Sequence, residues 1–204
     1  MSERIGDLSA ADRNKCPIFD VLVDWLAPDA AVLEIGAGDG THAHYAQKRM
    51  PDAYWQASEA PGHVRRLTAA LVDAESTRLP TPLALDVRGR WPDRRFDAIF
   101  GANIAHIMNE HAVADLFAGA ATHLVERGLL CLYGPFFESD QPEGEGNRVF
   151  DRALRERGQG MGIRHRDCLD ALARDHGLAP VGRVFMPSDN RLLFWRYAYT
   201  KDSL

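Results

Sequence analysis

The chain has few cysteines, no excess of basic residues and no long apolar run. Its three cysteines are far apart in the 204 residues and none belongs to a C-x-x-C pair, which excludes a zinc ribbon and a redox dithiol and indicates reduced thiols. The net charge of −5 argues against a nucleic-acid-binding face. No apolar stretch is long enough to cross a bilayer, and the polar N-terminus does not resemble a signal peptide. We therefore expect a cytoplasmic protein that binds neither nucleic acid nor membrane.

Length and composition predict one globular domain over residues 1–204. Apolar residues make up 46% of the chain and charged residues 26%, an ordinary balance for a globular protein. A domain of this size buries roughly 70% of the surface that its unfolded chain exposes, so it needs no disulfide or metal to fold. We expect a monomer or a homodimer.

Segments with helical spacing alternate with short apolar runs that are typical of buried strands. An N-terminal helix is predicted over residues 14–27. Five strand and helix units follow, then a last helix and two strands, at 179–185 and 191–199, that would form an antiparallel hairpin. This order predicts an α/β fold with a Rossmann-like sheet of the methyltransferase type. It has seven strands, mostly parallel, with a C-terminal antiparallel hairpin and helices on both faces.

The segment at residues 136–162 interrupts this alternation. It is long, acidic and rich in glycine, and a short helix is predicted around residues 150–154. The segment follows the carboxyl end of a strand, where open α/β sheets bind ligands. Long loops are usually functional or disordered, so a lid over the substrate and a surface loop are both consistent with it.

A glycine-rich turn, EIGAGDG at residues 34–40, lies between a predicted strand and a predicted helix. Its spacing is G-x-G-x-G, whereas dinucleotide-binding loops favour G-x-G-x-x-G. Asp39 within the turn would repel a pyrophosphate, which prefers helix N-terminal amides without a nearby anion. S-adenosylmethionine has no phosphate and carries a sulfonium and an ammonium group, which Glu34 and Asp39 would tolerate or favour. The turn therefore favours S-adenosylmethionine over NAD.

Two acidic positions follow later strands. Glu59 lies 19 residues after Gly40 and could accept hydrogen bonds from both ribose hydroxyls. The alternative is a solvated carboxylate at a helix start, beside Pro61. Asp86 could accept from the adenine amino group while Val87 packs on the ring, or Asp86 could be an ordinary turn residue. With the glycine turn present, we favour the cofactor interpretation.

A string of motifs in this chain resembles a widespread methyltransferase-like family catalogued as a domain of unknown function. The resemblance extends over residues 13–197. It implies a Rossmann-like methyltransferase fold and bound S-adenosylmethionine. It does not indicate which substrate is methylated. The motifs are RNK at 13–15, EIGAGDGTHA at 34–43, PLALDV at 82–87, FDAIFGANIAHI at 96–107, LFAGA at 116–120, LYGPF at 132–136, FD with ALR at 150–155, GIR at 162–164, and MP at 186–187 with Asn190.

The resemblance also implies roles for individual residues. Its A-N-x-x-H pattern falls on Asn103 and His106, and its Y-G-P-F pattern includes Tyr133. Met161 departs from the family, where a Trp is common, on the presumed substrate side. The residues expected to bind the donor are Glu34, Gly36, Gly38, Gly40, His42, Glu59, Asp86, Val87 and Asn103.

Methyl transfer from a sulfonium depends mainly on positioning and on the exclusion of water. His106 is the candidate general base, and Tyr133 is a candidate for orienting the acceptor. Arg13, Asn14 and Lys15 could close over the substrate from the N-terminal helix. The alternatives are a His bonded to backbone at a helix start, a half-buried strand Tyr, and a solvated helix start with Asn14 as N-cap.

No metal site is expected. His42 and His44 are two residues apart, so they face different directions on a helix, and His106 with Glu110 would supply only two ligands. The leading hypothesis is an S-adenosylmethionine-dependent methyltransferase that acts on a small-molecule acceptor. The alternative is a protein that binds S-adenosylmethionine or S-adenosylhomocysteine without methyl transfer, either as a partner-binding module or as an enzyme, such as a cyclase, that uses the sulfonium electrostatically.

Overall fold

The helices and strands alternate along the chain as the sequence predicts. The computed structural model describes residues 9–74 and 76–198, so the predicted strand end at residue 199 lies outside the described residues. The elements are α1 (Ala10–Trp25), β1 (Ala31–Ile35), α2 (Thr41–Arg49), β2 (Tyr54–Glu59), α3 (Val64–Leu71), β3 (Leu83–Ala84), β4 (Phe96–Ala102), α4 (Glu110–His123), β5 (Leu124–Gly134), β6 (Phe136–Phe137), α5 (Glu145–Glu156), β7 (Arg164–His165), α6 (Arg166–Asp175), β8 (Leu178–Met186) and β9 (Asn190–Tyr197).

Seven strands form one mixed sheet in the order β3-β2-β1-β4-β5-β9-β8. The first five are parallel, while β9 runs antiparallel to both of its neighbours. This confirms the predicted seven-stranded sheet and its C-terminal hairpin. The strand order reverses direction between β1 and β4, and α/β sheets bind ligands at the carboxyl ends of the strands beside such a switch point.

Two apolar cores cover the two faces of the sheet, because successive strand side chains point to opposite sides. Val32 of β1 packs in the core that α1, α2 and α3 cover. Leu33 and Ile35 pack in the core that α4 and α6 cover. Each fully buried side chain of this size contributes about 1.5–3 kcal/mol, so the alternation in β1 fixes which residues face which layer.

Helix α1 begins four residues before the predicted start at residue 14 and ends at Trp25 rather than at residue 27. The Oγ atom of Ser9 accepts a hydrogen bond from the backbone N–H of Asp12 at 3.0 Å, so Ser9 is the N-cap. Asn14 is buried inside the helix, and the alternative that it caps the helix was wrong. The local cap at Ser9 and the burial of Ile18 define this helix, although Pro17 lies within it.

The segment at residues 136–162 contains its own ordered substructure. The predicted helix around residues 150–154 is the longer α5, and a two-stranded parallel sheet of β6 and β7, absent from the sequence prediction, brackets it. Phe137, Leu154 and Ile163 form a small separate core. The backbone N–H of Ile163 donates to Asp151 Oδ1 at 2.7 Å, which ties the returning chain to α5.

A buried carboxylate anchors the start of this segment to the C-terminal strands. Glu138 accepts hydrogen bonds from Arg166 at 2.9 Å, Arg183 at 2.7 Å and Arg191 at 2.8 Å. Its side chain is 1% exposed. Three guanidinium groups on one carboxylate offset the cost of removing that charge from water.

Candidate functional site

The glycine turn joins the carboxyl end of β1 to α2. Gly36 has a φ of +67° and packs tightly, since a Cβ there would lie 2.7 Å from Ile104 Cγ2. Gly38 has a φ of +61°, and a Cβ there would meet nothing within 4 Å. Both torsions favour glycine. Gly36 therefore allows close packing behind the turn, while the backbone at Gly38 stays open in front.

The carboxylate of Glu59 lies against this turn. Its Oε2 atom accepts a hydrogen bond from the backbone N–H of Gly38 at 2.8 Å, and its Oε1 atom accepts from the N–H of Ala60 at 2.8 Å. Each carboxylate oxygen has more than one acceptor direction. Glu59 can therefore keep both bonds and still accept from the hydroxyl groups of a ligand.

Two clefts meet at Gly36 and Glu59, which line both of them. The first, the apolar cleft, has a volume of about 460 Å³. The second, the loop cleft, has a volume of about 450 Å³. Both volumes lie in the usual range for small-molecule sites. The apolar cleft is lined by Ile35, Gly36, Glu59, Ala60, Leu85, Asp86, Val87, Arg88, Ile107, Met108, Asn109, Ala112 and Gln159. The loop cleft is lined by Ser9, Ala10, Ala11, Gly36, Ala37, Gly38, Asp39, His42, Glu59, His63, Arg66, Ala102 and Asn103.

Asp86 and Val87, the residues predicted to contact adenine, both line the apolar cleft, but Asp86 already has a partner that sequence analysis missed. Arg88 donates to Asp86 Oδ1 from Nε and from its backbone N–H, both at 3.0 Å, and to Oδ2 from Nη2 at 2.7 Å. The bonds from Arg88 lower the pKa of Asp86 to about 2. A ligand amino group would therefore share the Asp86 carboxylate with Arg88. The D-x-R spacing of the two residues could have indicated their pairing.

Asn103 lies at the end of β4 and lines the loop cleft. Its φ is +60°, a left-handed conformation that Asn tolerates better than most residues. Its backbone N–H donates to the carbonyl of Tyr133 at 2.8 Å. Strained backbone of this kind concentrates at ligand sites, so Asn103 remains a candidate ligand-binding residue.

Glu34 lies behind the glycine turn rather than in either cleft. Trp55 Nε1 donates to Glu34 Oε2 at 2.7 Å. Burial raises the pKa of Glu34 to about 7, although the bond from Trp55 opposes the shift. His42 lines the loop cleft, and its Nδ1 atom is 3.7 Å from Glu34 Oε1. Burial lowers the pKa of His42 to about 4, so the two groups form no ion pair near neutral pH.

A buried hydrogen bond joins α1 to α2. His42 Nε2 and Asn14 Oδ1 are 2.8 Å apart. Burial raises the pKa of Tyr133, while the side chains of Asn14 and Asn190 act to lower it. Asn14 of α1 therefore lies close to both His42 of α2 and Tyr133 of β5.

The two other substrate candidates on α1 are Lys15 and Arg13. Lys15 forms an ion pair with Asp12 at 2.7 Å and lines a surface cleft with Asp39 and His44. Arg13 is exposed, and its charge acts to lower the pKa of Tyr133. Arg13 and Asn14 thus both act on Tyr133, while Lys15 is paired with Asp12.

His106 is buried in the turn between β4 and α4. Its ring packs edge-on against Phe150 of α5, with the ring centres 5.3 Å apart. Both His106 and Asn103 lie beside Gly134. A Cβ at that glycine would be 3.7 Å from His106 Nδ1 and 3.7 Å from Asn103 Oδ1. Burial and the charge of Arg164 lower the pKa of His106 to about 4. Neither His106 nor Tyr133 lines the apolar cleft or the loop cleft.

Residues 9–74 and 76–198 contain no group of three or more His, Cys, Asp or Glu side chains placed to hold a metal ion. None of the helices in that part of the chain has the length and apolar character that a membrane span requires.

The sheet order and the antiparallel end define a Rossmann-like methyltransferase fold. The chain belongs to the family described as "Protein of unknown function (DUF938)", whose match covers residues 7–197. This confirms the resemblance stated from the motifs.

Solved methyltransferase structures share this fold at low sequence identity. Mitomycin 7-O-methyltransferase MmcR matches with a TM-score of 0.78 and 17% identity over 92% of this chain and 55% of its own. An O-methyltransferase family protein from Burkholderia thailandensis matches with a TM-score of 0.76 and 16% identity, over 93% of this chain and 57% of its own. Human N-acetylserotonin methyltransferase, solved in complex with SAM, matches with a TM-score of 0.73 and 12% identity, over 91% of this chain and 52% of its own. The chain thus spans about half the length of these proteins.

Proposed function

We propose that this protein is an S-adenosylmethionine-dependent methyltransferase that acts on a small-molecule acceptor. The observation that carries the proposal is the position of Glu59, bonded to Gly38 at 2.8 Å where the two clefts meet. A ligand with an apolar ring at one end, a ribose in the middle and a charged amino acid at the other end matches this order of surfaces.

The residues present fit each part of that donor. Val87 and Leu85 give the apolar cleft a surface for the adenine ring. Glu59 supplies the acceptor for the ribose hydroxyls. The open backbone at Gly38 faces the loop cleft, which would hold the methionine part.

Charge supports S-adenosylmethionine over a dinucleotide. Asp39 and Glu59 both line the loop cleft, and Asp39 Oδ1 already accepts the backbone N–H of Thr41 at 3.1 Å. The first N–H groups of α2 are therefore partly taken by a carboxylate, in the position where a pyrophosphate would need free donors. A cationic donor would instead gain from both carboxylates.

When bound, S-adenosylmethionine supplies an electrophilic methyl group on its sulfonium. The protein would hold the acceptor in line with that group and accept a proton if the acceptor must lose one. His106 is uncharged near neutral pH because its pKa is lowered to about 4. One of its two ring nitrogens therefore carries no proton and could accept one, as a weaker base than an ordinary histidine. Tyr133, which lies near Asn14 and Asn190, would orient the acceptor.

The second candidate is a protein that binds the cofactor without transferring the methyl group. It is favoured by the burial of His106 and Tyr133 outside both clefts. This alternative includes a partner-binding module and an enzyme that uses the bound sulfonium electrostatically, such as a cyclase.

The test is calorimetric titration with S-adenosylmethionine, S-adenosylhomocysteine and NAD in parallel. Micromolar binding of the two sulfur ligands with no binding of NAD is expected, and a lack of binding by both sulfur ligands would remove the proposal. A panel of small acceptors then separates the candidates. Release of S-adenosylhomocysteine supports the enzyme, tight binding without release supports the binding module, and product formation without cofactor consumption supports the electrostatic role.

A further inference from the structure

The GIR motif at residues 162–164 has a place in the structure that the proposed function does not explain. The guanidinium of Arg164 donates from Nε to the carbonyl of Ala105 at 3.2 Å. Its Nη2 donates to the carbonyl of Gly160 at 2.6 Å and also to that of Met108. The side chain is only 10% exposed, and Nη1 is 3.6 Å from Glu110 Oε1. One side chain therefore binds carbonyl groups from two separate segments.

These two segments carry different parts of the candidate site. The turn at residues 104–109 carries His106. The returning chain at residues 158–162 carries Gln159, which lines the apolar cleft together with Asp86. The two segments thus connect the apolar cleft with His106, the candidate base.

Two backbone contacts reinforce the junction. The backbone N–H of Gly162 donates to the carbonyl of His106 at 2.9 Å. A Cβ at Gly160 would lie 2.9 Å from Asn109 Cβ, so glycine permits the close approach. Arg164 completes this junction, because the N–H groups of its guanidinium donate to three carbonyl oxygens at once.

We propose that Arg164 is a positioning residue that couples the apolar cleft, where the donor would bind, to His106. It holds the segment that carries Gln159 and the turn that carries His106 in one fixed arrangement. The coupling to the donor rests on the proposed function, whereas the contacts between the two segments do not.

The contacts require arginine rather than any cation. A guanidinium offers five N–H donors in a planar fork, whereas an ammonium is a point charge on a flexible stem. A lysine at this position would keep the charge beside His106 but would lose the simultaneous contacts to Ala105, Met108 and Gly160. The positive charge of Arg164 acts on the His106 ring, and Phe150 of α5 packs edge-on against it.

The experiment compares Arg164→Lys and Arg164→Gln with Arg148→Gln as the matched control. Arg148 forms an ion pair with Glu145 on α5, and its side chain is 53% exposed. Two readouts are used: the NMR titration of the His106 ring protons without ligand, and the Kd for S-adenosylmethionine by calorimetry. We expect both Arg164 variants to weaken donor binding by about tenfold, the loss of one or two charge-assisted hydrogen bonds. They should also move the His106 titration toward the ordinary histidine range, with Gln shifting it further than Lys.

The outcomes separate this proposal from the proposed function. If either Arg164 variant folds and leaves both readouts as in the unaltered protein, the coupling is overturned, and Arg164→Lys provides the test if Arg164→Gln does not fold. Lysine behaving like arginine would also overturn it, since charge alone would then suffice. An unaltered protein that binds no S-adenosylmethionine overturns the proposed function and the donor coupling with it, and the His106 titration then still shows whether Arg164 holds the turn.

Discussion

The carboxylate of Glu59, at the end of β2, accepts the backbone N–H of Gly38 in the glycine turn after β1. This bond joins two neighbouring strand ends and places an anionic acceptor where the apolar cleft meets the loop cleft. It gives the acidic residue two tasks, to fix the turn and to face a ligand, which variants can separate.

Glu59→Gln should weaken S-adenosylmethionine binding by about tenfold, because an amide keeps one acceptor oxygen and loses the other along with the charge. Calorimetric titration measures the change. Glu126→Gln, at an exposed position, is the control and should bind as the unaltered protein does. Unchanged affinity in Glu59→Gln would remove the ribose assignment.

Gly38→Ala should reduce donor affinity by about tenfold or more, since the added methyl group would occupy the open space in front of the turn. The torsion of +61° also costs the alanine form about 1 kcal/mol of stability. Gly177→Ala is the matched control. Its φ is +73° and its added Cβ would make only ordinary contacts, the nearest at 3.7 Å.

Both alanine variants should therefore lose similar stability in thermal unfolding, and only Gly38→Ala should lose affinity. Equal affinities in the two variants would show that the ligand does not approach the turn.

Glu34→Gln should become more stable relative to the unaltered protein as pH rises from 5 to 8. The pKa of Glu34 is raised from 4.5 to about 7 by burial, so its stabilising contribution is complete below pH 4.5 and is lost as pH rises through about 7. The difference can reach about 3 kcal/mol. Urea unfolding at pH 5 and pH 8 measures it, and the titrations of His42 and His106 largely cancel because both proteins contain them. A pH-independent difference would mean that Glu34 is ionised throughout.

Glu138→Gln should destabilise the protein by about 3 kcal/mol, because it leaves three guanidinium groups around a site without its negative charge. Urea unfolding checks this value. Glu126→Gln, at an exposed position, should change stability by less than about 0.5 kcal/mol. A similar small effect for Glu138→Gln would show that solvent already screens the arginine cluster.

His106→Ala should lower turnover and leave donor affinity nearly unchanged, if His106 acts on the acceptor. The unaltered protein should then keep its rate between pH 7.5 and about 5.5, since the neutral ring persists until pH approaches its lowered pKa of about 4. His111→Ala, exposed on α4, is the control. A collapse of donor binding in His106→Ala would make the residue structural, and a rate that halves near pH 6.5 would show an unshifted His.

Local sequence patterns predicted much of the architecture. Helix α2 begins at Thr41 and ends at Arg49 as expected, and α4 follows its N-cap Asn109, whose Oδ1 accepts the N–H of Ala112 at 2.8 Å. The start of α1 was missed because the cap at Ser9 precedes the apolar stripe by nine residues. The third strand is only two residues long, shorter than its apolar run at residues 82–87 indicates, because the end of that run, residues 85–87, lines the apolar cleft instead.

By itself, the sequence determined the order of strands and helices, the glycine turn and the acidic residues at the strand ends. Those features depend on periodicity, torsional preference and charge, which neighbouring residues express locally. Only the tertiary structure decided which of these residues meet. It placed Glu34 against Trp55, Glu138 among three arginines of α6, β8 and β9, and Arg164 across the His106 turn, because hydrogen bonds between residues far apart in the chain depend on how the layers pack and leave no local pattern.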